Sequence, residues 1–366
     1  MITILSILLI FYLASKAYIN LLKNEVYYKG PVTELFDGKT FKRVSLRPEN
    51  LPEQKPNEDG KKYPTTSLFR LVKSLFFKDE FSWDTKSLTF KQVVPTQTPS
   101  EDIIKIYYIN HSTVLIQTNG LNIISDPIYS KVAGPWNLIG PRRHHKPGID
   151  FKDLPKIDVV LISHNHYDHM DIPTLKNLYY RDNPLFITLA GNDYILKKNI
   201  SKNIQVKGLL WEEYIILPNN IKINAEAAYH WSRRGLYDRN KALWGSFVIQ
   251  TPKHNIFFAG DTAFYTGEIF KDLKAKYQTF SLALLPIGAY EPNNFMKYSH
   301  INPYESAKIH QIINAQKSVS IHYGTFQLSY ETYFQPREDL EKAKKDLQIP
   351  AEGFVSIDPG NSLILK

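Results

Sequence analysis

The 366-residue sequence contains no cysteine. This absence excludes disulfide bonds, zinc sites built on cysteine sulfur and a thiol nucleophile. It leaves the compartment open, because a protein without disulfides can fold in any of them. Hydrophobic residues make up 43% of the chain and aromatic residues 13%, which is enough for a substantial core. Intrinsic disorder is therefore not expected, and the length fits one large domain or two modest ones.

The sequence also lacks a Gly-rich phosphate loop, a recognisable nucleic-acid-binding motif, an internal repeat and a long basic block. The formal net charge is nevertheless +9, with 45 Lys and Arg against 36 Asp and Glu. A lysine-rich, soluble surface explains this excess, and so does attraction to an anionic surface such as a layer of phospholipid headgroups. Charge alone does not separate lipid from nucleic acid, but without a motif we predict no nucleic-acid partner.

The N-terminus is apolar, and residues 1–15 carry no charged side chain. They lack the basic region and small-residue cleavage site of a secretory signal, so we favour a membrane anchor over a cleaved signal peptide. A span of about 20 residues forms if Lys16 snorkels and the run continues to Leu22. Lys16 and Lys23 then place the body of the protein in the cytoplasm. A signal peptide would place it in the periplasm, and a helix packed on the domain is the third interpretation.

The chain divides into three predicted segments. Residues 1–23 form the anchor or signal segment, 24–100 an extension that packs on the main domain, and 101–366 the main domain itself. Within the extension, 51–62 has the composition of a loop and 67–77 the apolar spacing of a helix.

From residue 103 onward, short β-rich runs dominate the pattern. The predicted strands are 104–109, 112–117, 121–124, 157–162, 221–228, 246–250, 256–259, 282–286 and 319–321. Asn119 and Gly120 form a strong hairpin turn signal between two of them. A helix is predicted with Asp171 as its N-cap and Pro173 in its first turn, and another over 304–313.

Residues 164–169, His-Asn-His-Tyr-Asp-His, directly follow the apolar strand predicted at 157–162. Imidazole suits zinc, iron or copper, and a carboxylate adds negative charge. The potential ligands are His164, His166, Asp168 and His169. Placed so closely, they cannot all surround one ion tetrahedrally without severe backbone strain. Two ions can share them, with the first two histidines on one and the aspartate and last histidine on the other. The alternative is a polar loop that happens to contain histidines.

Three further predicted strands end in a candidate ligand. His230 follows strand 221–228, Asp261 follows strand 256–259 and His322 follows strand 319–321. A lone histidine at a strand end is more often a hydrogen-bonded structural residue than a ligand. Four ligand-bearing strand ends in one chain, however, are expected to converge on a common cleft.

These seven residues, in this order, resemble the signature of the metallo-β-lactamase superfamily, which is His-x-His-x-Asp-His followed by a distant His, an Asp and a final His. Within that superfamily the chain most resembles the N-acylphosphatidylethanolamine-hydrolysing phospholipase D family, from about Phe36 to the C-terminus. The segments that carry this resemblance are 36–39, 113–117, 125–127, 140–143, 243–247, 286–292, 295–300 and 321–326.

The resemblance implies an α/β fold, the αββα sandwich, in which residues 101–366 form a catalytic domain with two zinc ions at one edge of the two sheets. It implies that one zinc takes His164, His166 and His230, and that the other takes Asp168, His169 and His322, with Asp261 bridging. Two zinc ions with two carboxylates and a bridging hydroxide leave a net charge of about +1, which favours an anionic phosphodiester. A homodimer is also suggested by the resemblance.

The activity implied is that of a zinc-dependent phosphodiesterase of the phospholipase D type, which hydrolyses N-acyl phosphatidylethanolamine to N-acylethanolamine and phosphatidic acid. A hydroxide that bridges the metals, available near neutral pH, would attack phosphorus. Asp168 is expected to hold a zinc and the water's proton. His300 lies in a family motif but outside the seven ligands, and has either a direct role near the leaving group or a supporting structural one.

Two other functions stay open. One is a hydrolase of a soluble substrate, such as a cyclic phosphodiester or a lactone. The other is a non-enzymatic binding module on the same scaffold. The complete set of seven ligands argues against the second. The apolar N-terminus and the family motifs favour a phospholipid substrate, with a membrane surface as partner.

Overall fold

The computed structural model of the chain describes residues 2–42, 83–84, 88–100 and 103–365. The loop predicted at 51–62 and the helix predicted at 67–77 lie outside these residues, and so do residues 101–102.

The main domain follows a long N-terminal helix and contains runs of consecutive strands as well as strands separated by helices. The strands are β1 Ile104–Asn110, β2 Thr113–Thr118, β3 Leu121–Ser125, β4 Val159–Ile162, β5 Leu185–Leu189, β6 Val206–Leu209, β7 Tyr214–Ile216, β8 Lys222–Glu226, β9 Ser246–Gln250, β10 Asn255–Phe258, β11 Leu282–Pro286, β12 Ser318–Ile321, β13 Phe354–Val355 and β14 Ser362–Leu365. The helices are α1 Ile2–Asn24, α2 Ile172–Asp182, α3 Asn192–Asn199, α4 Glu268–Tyr277, α5 Asn293–Met296, α6 Pro303–Ile312 and α7 Gln335–Asp346.

Within the described ranges the strands form two sheets of seven. The first sheet has the order β14-β1-β2-β3-β4-β5-β6 and the second has the order β13-β12-β11-β10-β9-β8-β7. Each sheet is mixed: β3 to β6 run parallel, as do β10 to β13, while the pairs at the other end of each sheet are antiparallel. Consequently β4, β8, β10 and β12 can all deliver their carboxyl ends to one edge of the sandwich.

Strand β4 shows how the layers are built. Val159 and Leu161 belong to the large core shared by the two sheets, whereas Val160 and Ile162 pack with residues of α2 and α3 on the opposite face. Since neighbouring side chains of a strand point to opposite faces, the first sheet is covered by the second sheet on one side and by helices on the other. This burial of both faces explains the uninterrupted apolar run in the sequence, and it gives the αββα sandwich.

The hairpin predicted at Asn119-Gly120 is confirmed. It joins β2 to β3, and the φ angles of the two residues are 48° and 76°. Both values are left-handed, as a two-residue hairpin turn of the favoured twist requires, and Asn and Gly tolerate that conformation best.

The helix predicted after Asp171 is confirmed as α2, but the expected cap differs. Asp171 occupies the N-cap position without accepting a hydrogen bond from the first-turn backbone. Pro173, the second helical residue, has no N–H to donate. The carboxylate of Asp171 instead accepts hydrogen bonds from the Ser130 hydroxyl at 2.7 Å and the Ser130 amide at 3.1 Å, so it ties the helix to the loop after β3.

The N-terminal helix α1 covers the segment predicted as an anchor. Among the described residues, no helix is long and apolar enough to cross a membrane. The anchor in residues 1–23 and its alternative, a signal segment, stay predictions, as does the orientation derived from them.

The described parts of segment 24–100 contact the main domain. Phe41 is buried in the shared core, and its amide donates to the Asn240 carbonyl at 2.7 Å. The Trp83 indole N–H donates to the Glu331 carbonyl at 2.7 Å. The segment boundaries themselves stay predictions.

His310 on α6 is a buried titratable group remote from the predicted ligands. Its Nδ1 lies 2.8 Å from the Ser318 hydroxyl, and its ring stacks beside Phe354 at 5.9 Å between centroids. Burial lowers the pKa of His310 to about 4. An unfolded chain protonates the same imidazole near pH 6.5, so acid favours the unfolded state.

We therefore predict that the free energy of unfolding falls less steeply on acidification in His310→Asn than in the wild type. The wild-type contribution of His310 is complete above about pH 6.5 and is lost as the pH falls toward 4, by up to about 1.4 kcal/mol per pH unit. Urea unfolding from pH 7.5 to 4.5 measures both proteins. The difference in unfolding free energy between wild type and variant should shrink on acidification; parallel profiles would contradict the assignment.

Candidate metal centre

The seven residues predicted as ligands meet at one edge of the sandwich. His164 to His169 follow β4, His230 follows β8, Asp261 follows β10 and His322 follows β12. The turn after β4 is tight, because the amides of His169 and Met170 both donate to the His166 carbonyl, at 3.1 and 2.8 Å. This turn directs the imidazoles and the carboxylate of one short loop toward two adjacent groups of ligand atoms.

The first group comprises His164, His166, His230 and Asp261. His166 Nδ1 lies 2.8 Å from His164 Nε2 and 3.2 Å from His230 Nε2. Asp261 Oδ2 lies 3.8 Å from His164 Nε2 and 3.7 Å from His230 Nε2. Four ligands about 2.1 Å from one zinc ion stand roughly 3.4 Å apart in a tetrahedron, so the spacing of this group suits a single metal ion.

The second group comprises Asp168, His169 and His322 around the same Asp261. Asp168 Oδ2 lies 3.4 Å from His169 Nε2 and 3.5 Å from His322 Nε2. Asp261 lies 3.2 Å from His169 Nε2 through Oδ2 and 3.2 Å from His322 Nε2 through Oδ1. The carboxylate of Asp261 therefore stands between the two groups, at a distance from both that suits a shared ligand.

Several buried ligand atoms have no hydrogen-bond partner within the described part of the chain. They include His169 Nε2, His322 Nε2 and Asp261 Oδ1. A buried polar atom without a partner is costly, and these three converge from different strands. A cation among them would satisfy all three at once, so the donor set fits bound metal.

Burial keeps the imidazoles of the first group in the neutral form that binds metal. It lowers the pKa of His166 to about 3 and lowers those of His164 and His230 far below their usual value. These imidazoles are neutral at pH 7, which is the form that binds metal. For Asp261, burial opposes ionisation, but the neighbouring His169 and His322 outweigh it and hold the pKa of the carboxyl well below its usual range.

The second group carries protons that a metal would displace. Burial alone would lower the pKa of His322, but the carboxylates of Asp261 and Asp168 raise it to about 9. The same carboxylates, with Asp126, raise the pKa of His169 well above its usual value against the effect of burial. The negative charge assembled here thus attracts a cation of some kind, a proton or a metal ion.

Two residues of the site were missed by the sequence analysis. His111, between β1 and β2, places Nε2 3.0 Å from Asp168 Oδ2 and groups with Asp168, His169 and His322. Asp126, directly after β3, accepts from His169 Nδ1 at 2.6 Å. Both follow predicted strands, so the strand-end rule that singled out His230 would have found them.

Asp126 is the residue that orients His169. Its carboxylate also accepts from the Ser163 amide at 2.8 Å and the Ser163 hydroxyl at 2.6 Å. Because His169 Nδ1–H donates to Asp126, Nε2 is the nitrogen turned toward Asp261, and it becomes the ligand atom when a metal displaces its proton. Similarly, His230 Nδ1 donates to the Ser299 carbonyl at 2.8 Å and presents Nε2 to the first group.

His300 borders both groups. Its Nδ1 lies 3.8 Å from Asp261 Oδ2, and its ring centroid is 5.2 Å from that of His230 and 5.5 Å from that of His322. Burial lowers the pKa of His300 to about 4, so its imidazole is neutral at pH 7. The structure brings His300 to the rim of the ligand cluster.

A family model described as a β-lactamase superfamily domain matches residues 122–323. The Caenorhabditis elegans protein named N-acyl-phosphatidylethanolamine-hydrolyzing phospholipase D 1 is 31% identical over 310 residues, which cover 81% of this chain and 86% of that protein. The chain belongs to the N-acylphosphatidylethanolamine-hydrolysing phospholipase D-like family of the metallo-β-lactamase superfamily. The predicted family is confirmed, and this member of it is a metal-dependent hydrolase.

A second relative, from Saccharomyces cerevisiae, is named N-acyl-phosphatidylethanolamine-hydrolyzing phospholipase D, mitochondrial. It is 37% identical over 227 residues, which cover 61% of this chain and 48% of the yeast protein. The chain thus spans about half the length of that relative.

Solved structures share the fold. An isothiocyanate hydrolase from Delia radicum gut bacteria has a TM-score of 0.57 at 16% identity, over 71% of this chain and 98% of that one. The metallo hydrolase Igni18 from Ignicoccus hospitalis has a TM-score of 0.53 at 19% identity, over 72% and 99%. CmlA, a diiron β-hydroxylase from Streptomyces venezuelae, has a TM-score of 0.54 at 15% identity, over 74% and 55%. These identities show the fold alone, and they confirm the predicted αββα sandwich.

We predict that Asp126→Asn weakens metal binding about 10- to 100-fold. An amide NH₂ facing His169 Nδ1 would favour the tautomer with its proton on Nε2, which blocks the ligand atom. Competition with a chromophoric chelator measures the affinity. Asp158→Asn is the control, since Asp158 precedes β4 at the end opposite the site and accepts from the Asn122 amide. Equal affinities for wild type and Asp126→Asn would contradict the orienting role.

Proposed function

We propose that the protein is a zinc-dependent phosphodiesterase of the phospholipase D type that hydrolyses N-acyl phosphatidylethanolamine-like lipids to N-acylethanolamine and phosphatidic acid. The printed names of the worm and yeast relatives support the reaction. The observation that carries the proposal is the position of Asp261, whose carboxylate lies 3.2 Å from ligand nitrogens of the second group and 3.7 Å from His230 of the first.

Two zinc ions suit the donors of this site. The ligand atoms are imidazole nitrogens and carboxylate oxygens, which zinc accepts in tetrahedral sets. The ligands we propose for one ion are His164, His166 and His230, and for the other Asp168, His169 and His322, with Asp261 shared. Bound here, the ions would supply a nucleophilic hydroxide near neutral pH and positive charge for the phosphate oxygens. With only two carboxylates as charged ligands, the site would remain positive, which favours an anionic phosphodiester.

Asp168 is placed to accept a proton from the attacking water. Its side chain is 14% exposed, against 2% for Asp261, so it is the carboxylate of the pair that solvent reaches more readily. His111 Nε2, at 3.0 Å, and the two imidazoles of the second group hold its Oδ2 in place. Burial alone would raise the pKa of Asp168, but His169 and His111 hold it well below its usual range, so the group is ionised at pH 7.

The reaction adds water across one P–O bond. The water oxygen forms the new bond to phosphorus, the bond from phosphorus to the ethanolamide oxygen breaks, and a proton ends on the departing alcohol. His300 borders the cluster at the Asp261 side and is partly exposed. We propose that its neutral imidazole contacts the leaving group and relays to it the proton released by the attacking water, accepting on one nitrogen and donating from the other.

Hydrolysis in ¹⁸O-labelled water tests the reaction. Purified protein with N-acyl phosphatidylethanolamine vesicles should release N-acylethanolamine and phosphatidic acid, with the label in the phosphatidic acid. Asp261→Asn, which removes the shared charge, should show no activity above background. Label in the N-acylethanolamine would mean attack at carbon, and release of fatty acid or diacylglycerol would mean that another bond is cleaved.

Elemental analysis of the same sample should find two zinc ions per chain. The analysis must also measure iron, because one neighbour of the fold is described as a diiron enzyme.

His300→Ala should slow lipid hydrolysis by about 10²-fold or more with unchanged metal content. The reason is that His300 lies at the rim of the cluster, outside the two proposed ligand sets. Steady-state rates and elemental analysis measure the two properties. His254→Ala is the control, since His254 pairs with the Ser281 hydroxyl at 2.9 Å beyond the site and should keep the wild-type rate. Loss of metal from His300→Ala would instead make His300 a ligand.

A further inference from the structure

The N-terminal helix α1 projects from the domain. Every residue from Tyr12 to Tyr18 is exposed, and so is Leu21 near its carboxyl end. Apolar side chains thus face outward in several directions, among them Tyr12, Leu13, Tyr18 and Leu21. Exposed apolar side chains grouped in this way are typical of a surface that binds a partner or a membrane, and within the described residues nothing covers these four.

Lys241 holds the carboxyl end of this helix. Its side chain is 2% exposed, and its Nζ donates to the carbonyls of Leu22 at 2.8 Å, Lys23 at 3.0 Å and Glu25 at 2.8 Å. The last carbonyls of a helix lack intrahelical partners and carry its negative dipole end. The ammonium of Lys241 therefore donates three hydrogen bonds to carbonyls at the carboxyl end of α1.

A second set of contacts fixes the same junction. Glu25 accepts from the Tyr194 hydroxyl of α3 at 2.7 Å and pairs with Lys198. The Tyr27 ring stacks on Tyr194 at 5.2 Å between centroids. With contacts to both α3 and Lys241, the end of α1 has a defined direction relative to the domain.

The segment 230–242, which ends beside α1, begins in the metal centre. His230 is one of the proposed ligands, and Trp231 packs edge-on against the His166 ring at 4.3 Å. Arg234 Nη1 donates to the carbonyls of Asn165 at 2.9 Å and Met170 at 2.7 Å, within and next to the ligand-bearing loop after β4. One segment therefore connects the helix to the ligand-bearing loops after β4 and β8.

The surface shared by α1 and segment 230–242 is apolar and positive. Leu236 is 78% exposed, and Lys23 Nζ stands 5.2 Å from the Tyr237 ring. Helix α1 contains lysines but no Asp or Glu. The one acid of the segment, Asp238, is buried and accepts from the amides of Arg234 and Gly235. Exposed apolar side chains beside uncompensated cations suit an anionic lipid bilayer.

We propose that the Lys241 clamp makes α1 and segment 230–242 one lipid-binding surface, which holds the metal centre at the boundary of an anionic bilayer. Lys241 is a positioning residue: it acts through the helix and the segment, without contact to substrate. The inference rests on the proposed lipid hydrolysis for its purpose, but its geometry is independent of any reaction.

Single-site labels test the surface without reference to activity. Because the chain has no cysteine, Leu236→Cys and Tyr18→Cys each give one attachment point for an environment-sensitive fluorophore. The full-length protein is mixed with phosphatidylcholine vesicles with and without phosphatidylglycerol, some carrying a lipid-borne quencher. Both labels should shift to the blue and be quenched on the anionic vesicles. Adding Lys241→Met should leave the response at 18 and reduce quenching at 236 at least threefold.

Matched variants separate the clamp from general damage. Lys241→Arg keeps a cation and should restore most of the response at 236. Lys271→Met makes the same chemical change on an exposed lysine, paired with Glu268 at 2.8 Å, and should match wild type. Glu25→Ala weakens the junction without removing the buried ammonium, and should give a smaller loss at 236 even if Lys241→Met does not fold.

Three results would overturn the proposal. The first is equal quenching of the label at 236 with and without Lys241→Met, and the second is no response of either label to anionic vesicles. The third is concentration-dependent shielding of both labels without lipid, which would mean that a second copy of the chain covers the surface.

Turnover gives a separate measurement. The ratio of turnover on bilayer lipid to turnover on a soluble phosphodiester should fall about tenfold in Lys241→Met. Labels that respond as expected in a protein that hydrolyses neither substrate would refute the proposed function and leave the surface intact.

Discussion

The carboxylate of Asp261 is buried among five imidazoles, and the rest of the site is arranged around it. Its oxygens lie between 3.2 and 3.8 Å from the nitrogens of His164, His169, His230, His300 and His322. A buried charge is tolerated only when it is paired, and no single imidazole can pair it from both sides. Two cations, one in each group of ligands, would satisfy this requirement and would supply the positive centre that the proposed phosphodiester substrate needs.

The sandwich makes this arrangement possible. Strand β4 of the first sheet and strands β8, β10 and β12 of the second deliver their ends to the same edge, so each sheet contributes part of each ligand group. The local backbone is adapted as well. His111, Asp126 and His322 have φ angles of 47°, 34° and 60°, a left-handed conformation that is uncommon for residues with a side chain. The strain is tolerated because Asp126 and His322 are held by hydrogen bonds to Ser163 and the His111 carbonyl.

The ligand pattern and most of the buried strands could be predicted from the sequence because both are local signals, although the buried strand β5 was missed. Residues 164–169 carry their meaning in their spacing, and the run before them is apolar since β4 is buried on both faces. Strands at the margins escaped prediction for the opposite reason. Strand β6 is only half-buried, β7 alternates between exposed and half-buried positions, and β13 has two residues, so none of them has a strong pattern. The Lys241 clamp was equally out of reach, because it joins residues more than 200 positions apart.

Anomalous diffraction from crystals of the zinc-loaded protein shows directly whether two metal ions share Asp261. Data collected on either side of the zinc edge should show two peaks about 3.5–4 Å apart, one among His164, His166 and His230 and the other among Asp168, His169 and His322, with the Asp261 carboxylate in contact with both. A single peak, or two peaks of which only one contacts Asp261, would mean that the carboxylate is not shared by two metal ions.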